Sequence, residues 1–104
     1  MGPKRKIPVR RLVEDITDEP LSDKEVMEKY SLSGKEYTFV IGKLAEKRKI
    51  SFKRVVSVIR GFLEDGDVVA AEESLDVVRK YFGGVWGVQS IAQSLEHELV
   101  EAKS

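Results

Sequence analysis

At 104 residues, 41% of them hydrophobic and 35% charged, the chain has the length of one domain and the composition of a soluble globular protein. It is too short for a catalytic domain built round a large pocket. Cys is absent and His97 is the single histidine, which excludes a disulfide framework, a thiolate metal site and a His-pair zinc site, so no metal or cofactor is expected. No apolar run approaches the ~20 residues of a membrane span and no signal-peptide core follows the basic start, so a cytoplasmic location is expected.

Met1 to Lys6 is short and basic, and reads as a flexible arm whose Lys4-Arg5-Lys6 cluster can lie along a phosphate backbone or merely aid solubility. From Ile7 to Ile16 apolar residues recur at Val9, Leu12, Val13 and Ile16, a helical stripe that Asp18-Glu19-Pro20 ends. Two short helices follow, from about Ser22 to Tyr30 and from Ser33 onward. Each opens on a reciprocal capping pattern, Ser22-Asp23-Lys24-Glu25 and Ser33-Gly34-Lys35-Glu36, with Leu21 or Leu32 ahead of the cap and Val26 or Tyr37 four positions inside for a hydrophobic staple. The second buries Tyr37, Val40, Ile41 and Leu44 and ends on Lys47, Arg48 and Lys49.

Ser51 can cap a fourth helix with Phe52, Val55, Val56, Ile59, Phe62 and Leu63 on a broad stripe. Its β-branched richness also permits a strand, which would make a winged variant, but period two fails at Val55-Val56 and the pattern is long, so helix is preferred. Gly66 and Asp67 supply a stop and a new cap for a fifth helix, Val68 to Phe82, with Ala71, Leu75, Val78 and Phe82 inward. Gly83-Gly84 ends it, and Val85-Trp86-Gly87 links to a sixth helix, about Val88 to Ala102, with the stripe Val88, Ile91, Ala92, Leu95 and Leu99. The expectation is one all-α domain of about six helices over residues 7–104.

Net charge is zero, yet residues 1–54 hold 14 Lys and Arg against 9 Asp and Glu, and residues 55–104 hold 4 against 9. A basic half can face phosphates; an acidic half faces the basic half, a partner subunit or solvent.

The run Glu25-Val26-Met27-Glu28-Lys29-Tyr30-Ser31-Leu32-Ser33, followed by Lys35 and Lys43-Leu44, resembles bacterial helix-turn-helix DNA-binding modules over roughly residues 7–50. The resemblance implies a regulatory, non-enzymatic role in transcription. Met27 stands where the general pattern has a small residue, and Ser31 where it often has Gly and must accept the turn's dihedral. The implied groove helix presents Lys35, Thr38, Phe39 and Lys43 to bases, with Arg5, Lys6, Arg10, Arg11, Lys47, Arg48 and Lys49 on phosphates. That set lacks the Arg, Asn and Gln that dominate base discrimination, so binding would be mostly electrostatic. Phe39 reads either as a thymine-methyl contact or as part of a second interface. Trp86, among three glycines, either plugs the gap between its own helices or anchors an association surface. A protein-interaction adaptor on the same scaffold, with Phe39 and Trp86 as anchors, is the rival function. The acidic half is open to a homodimer, since such modules commonly bind paired half-sites, or to another protein partner. No catalytic group stands out: His97 lies between Glu96 and Glu98, which a helix turns away from it.

Overall fold

The computed structural model describes residues 9–18 and 21–103; the expected basic arm with Arg5 and Lys6, and the Glu19-Pro20 break, lie outside these. Within them the chain forms six helices and no strand: α1 (Val9–Thr17), α2 (Asp23–Lys29), α3 (Gly34–Glu46), α4 (Phe52–Asp65), α5 (Val68–Phe82) and α6 (Val88–Lys103). The winged alternative is thus overturned at residues 52–65. α4 is long enough to bury Val55, Val58, Ile59 and Phe62 along one helical stripe.

Local chemistry sets most of the boundaries. Both capping boxes form: Ser22 Oγ accepts from Glu25 N and Ser33 Oγ from Glu36 N, while each glutamate accepts from the backbone N–H of its serine, at 2.9–3.2 Å. Ser51 caps α4 through Arg54 N and Asp67 caps α5 through Ala70 N, each at 3.1 Å. Three helices end alike. Leu32 N–H donates to Met27 O, Lys49 N–H to Leu44 O and Asp67 N–H to Phe62 O, closing the wide bond of a Schellman turn in each case. The pivots are Ser31, Arg48 and Gly66, with φ of +53°, +58° and +80°. Ser31 therefore does take the left-handed conformation its position demands, at the cost of its Cβ.

α4 and α5 form an antiparallel hairpin in which the Phe52 and Phe82 rings lie 6.0 Å apart. α6 returns along α5, with Arg79–Glu96 at 2.6 Å and Lys103 paired with Glu72, and α4 joins it through Arg60–Glu98 at 3.3 Å. One apolar core runs from Leu12 and Ile16 on α1 through Tyr37, Ile41, Ile59 and Val78 to Leu95 and Leu99 on α6. The Tyr37 and Phe62 rings meet edge to face at 6.3 Å.

A single ionic hub locks the first four helices. Arg54, on α4, donates from Nη2 and Nη1 to the two oxygens of Asp23 at 2.6 and 3.1 Å, and from Nε to the Ile16 carbonyl near the end of α1 at 3.0 Å. Asp23 opens α2, where the helix dipole also favours its charge, and accepts from the Tyr37 hydroxyl of α3 at 2.5 Å. The Arg54 and Asp23 side chains keep only 10% and 15% of their exposure. Burial, then the bond to Asp23, pushes the Tyr37 hydroxyl far above the usual phenol range, so it stays protonated and donates to Asp23. A smaller cluster at the edge ties α1 to α2: Asp15 accepts from Lys29 at 2.8 Å and from the Tyr30 hydroxyl at 2.6 Å. These two bonds hold its carboxyl below the usual range.

Arg54→Leu should destabilise the fold by about 3–5 kcal/mol, because it strands Asp23 and frees the Ile16 carbonyl. Lys53→Leu, at an exposed neighbouring position, should stay within about 0.5 kcal/mol. Urea unfolding followed by circular dichroism measures both.

Candidate interaction surface

The face of α3 expected to enter a groove is largely used up inside the molecule. Gly34, Thr38 and Gly42 recur every fourth residue and line one side of α3. On α5 they meet Asp67 and Ala70, then Ser74, then Val77, so the two helices run parallel with small residues between them. A Cβ on Gly34 would come within 2.3 Å of the Asp67 carboxylate that caps α5. Small side chains permit this close approach, and they do so with little apolar surface.

Thr38 is the clearest correction to the sequence reading. Expected to face outward, it is 4% exposed, and its hydroxyl shares a 3.1 Å hydrogen bond with the buried Ser74 hydroxyl. The two hydroxyls satisfy each other in the seam, which removes Thr38 from any reading surface. Gly34 and Gly42 are half-buried against α5.

Lys35, Glu36, Phe39, Lys43 and Glu46 remain exposed on α3, and of these Lys35, Phe39 and Lys43 form a ridge one helix face wide that Lys47 continues just past the helix end. Phe39 stands at its centre with 66% of its surface open, and the Lys43 ammonium lies 5.4 Å from its ring centroid. Two grooves flank this ridge. Toward α5, the groove brings Glu46, Glu73 and Asp76 close to Lys35, Lys80 and Tyr81, so both signs of charge share it. Toward α1, the groove has a floor of Leu12, Val13, Val40 and Leu44, with the exposed Val9 beside it and a rim of Lys43, Lys47 and Lys49; among the described residues no carboxylate lines it.

Arg10, Arg11, Arg48 and Lys49 are exposed as expected, and Arg48 holds its left-handed pivot at the end of α3. Trp86 does not plug a gap between helices. It is 97% exposed, and Val85 beside it is 45% exposed, on a turn that Gly87 makes with φ of +84°. His97 is exposed on α6, and its Nε2 lies 2.9 Å from Glu101 one turn on, rather than from either adjacent glutamate. Among the described residues, no group of three or more acidic or histidine side chains is arranged to hold a metal.

Sequence reasoning missed Arg54, which it counted only as one more basic residue. It also missed the second buried face of α3. A repeat of Gly, Thr and Gly at four-residue spacing was the available signal for that face. Comparison with protein-family models, with curated proteins and with solved structures finds no match to the chain.

Thr38→Asp should cost about 3 kcal/mol or more by driving an unpaired charge into the α3–α5 seam. Phe39→Ser should change stability by no more than about 0.5 kcal/mol, since the ring packs on little. Thermal unfolding of the two variants beside the parent separates the buried face of α3 from its open one.

Proposed function

We propose that this chain is a non-enzymatic interaction module that binds another protein, using the ridge of α3 round Phe39 as its anchor. The observation that carries this reading is the burial of Thr38, Gly34 and Gly42 against α5 beside a Phe39 left open to solvent. A helix that lays its small-residue face on its own neighbour keeps only its ridge for recognition, and on that ridge the largest apolar surface is Phe39. Exposed aromatic side chains beside apolar grooves are characteristic anchors of protein interfaces. Trp86, fully exposed on the α5–α6 turn, provides a second such anchor.

The helix-turn-helix resemblance supports a second reading, a transcription-regulatory module that contacts DNA. The exposed cluster Lys47, Arg48 and Lys49, with Arg10 and Arg11, favours it, because such residues can follow a phosphate backbone. The same surface argues for contact without base readout. Thr38 is removed, no Arg, Asn or Gln lies on the ridge, and Glu73 and Asp76 stand beside it where phosphates would be repelled.

Fluorescence-polarisation titration with mixed-sequence duplex DNA tests the choice. The protein-binding reading expects at most weak binding at low salt that disappears near physiological salt and is indifferent to Phe39→Ser. A photo-crosslinking phenylalanine analogue at position 39 should meanwhile give discrete protein adducts in cells. Saturable DNA binding that survives physiological salt and is lost in Lys35→Glu, Lys43→Glu would overturn this reading in favour of DNA.

A further inference from the structure

Resting on the protein-binding reading, the geometry points to the partner's chemistry: we infer that the groove between α1 and α3 receives an acidic amphipathic helix from another protein. The groove has a volume of about 350 Å³, with Phe39 as one wall. Its two sides are helices, so the complementary occupant is a third helix laid between them with one apolar stripe turned inward.

Charge selects the occupant's edge. Lys43, four residues beyond Phe39 on α3, and Lys47, which caps the helix end, stand one turn apart, and Lys49 extends the rim. Phe39, Lys43 and Lys47 therefore span about 12 Å along a single helix edge. A partner helix with an apolar residue and carboxylates at one-turn spacing matches that order. All three rim charges have one sign and, among the described residues, no acid lines the groove, whereas the groove on the other side of Phe39 sets Glu46, Glu73 and Asp76 among Lys35, Lys43 and Lys80. An acidic helix is thus directed to the α1 side and kept from the α5 side. Lys43 now covers the Phe39 ring and lies 3.8 Å from Glu46; a carboxylate arriving from the partner competes with that weak exposed pair.

A second copy of the chain is a poor occupant despite its acidic half. Four of that half's carboxylates are already engaged within their own chain, Glu72 by Lys103, Glu96 by Arg79, Glu98 by Arg60 and Glu101 by His97. The apolar stripe of α6 is likewise spent, with Val88, Ala92, Leu95 and Leu99 in the core.

The test uses the full chain and a fluorescein-labelled helical peptide of 16 or so residues with a leucine stripe flanked by glutamates, beside a twin with lysine at every glutamate. The acidic peptide should bind at least about tenfold more tightly than its basic twin, and Phe39→Ser or the Lys43→Glu, Lys47→Glu pair should weaken it about tenfold. The charge-reversed pair should also invert the preference between the two peptides, a result that loss of folding cannot imitate. Absence of saturable binding, equal binding of the twins, or acidic-peptide binding indifferent to these variants overturns the proposal. So does concentration-dependent self-association abolished by the same variants, which assigns the groove to a second copy. Photo-adducts at position 39 that persist when the acidic peptide fails leave the protein-binding reading standing and remove only this partner chemistry; loss of both removes both.

Discussion

The arrangement of the first four helices turns on the paired charges of Arg54 and Asp23. Arg54 reaches from α4 to the open carbonyl end of α1 and to the first residue of α2, and Asp23 in turn holds the hydroxyl of Tyr37 on α3. Four helices converge on one guanidinium and one carboxylate. Such a buried pair contributes modestly to net stability compared with well-packed apolar side chains, but breaking it leaves a charge with no partner. Its directional bonds fix which ends meet, something that Ile16, Ile41 and Ile59 in the adjacent core cannot do by themselves. With that end of the bundle fixed, α3 lies against α5 in a single register.

The α3–α5 seam is what gives the surface its character. It consumes the small side chains of α3 at Gly34, Thr38 and Gly42, and leaves Phe39 with its lysines facing out. A helix used this way is inserted between its neighbours and not presented to a groove. The basic and acidic halves of the sequence are consequently one packed body, while the ion pairs of α5 and α6 lie mostly within the acidic half itself. The lysines at the end of α3 stay at the surface.

Much of this was legible in the sequence where the responsible chemistry is local. The serine and glutamate at each capping box, the Gly66 stop with its Asp67 cap and the apolar stripes of α4 to α6 predict the helices and their inward faces, because each depends on residues within a turn or two. The outward placement of Thr38 failed for a physical reason. A close helix contact made by Gly, Thr and Ala contains few carbon atoms, so it resembles a solvent face until the partner helix with Ala70, Ser74 and Val77 is known. For Trp86 the sequence leaves a buried plug and a surface anchor open, and the glycine-rich turn removes the first by holding the ring in solvent. Arg54 was not distinguishable from its basic neighbours, because its partners lie 31 and 38 residues away along the chain.

In the folded protein α5 covers one face of α3. Native-state hydrogen exchange at the amides of residues 38–42 on α3 and 71–78 on α5 tests it most directly. Both sets should exchange only through global unfolding, with the same free energy and the same dependence on denaturant. Exchange of α5 and α6 at much lower free energy, baring Thr38 while α1 to α3 stay folded, would contradict it and return that face of α3 to the candidates for recognition.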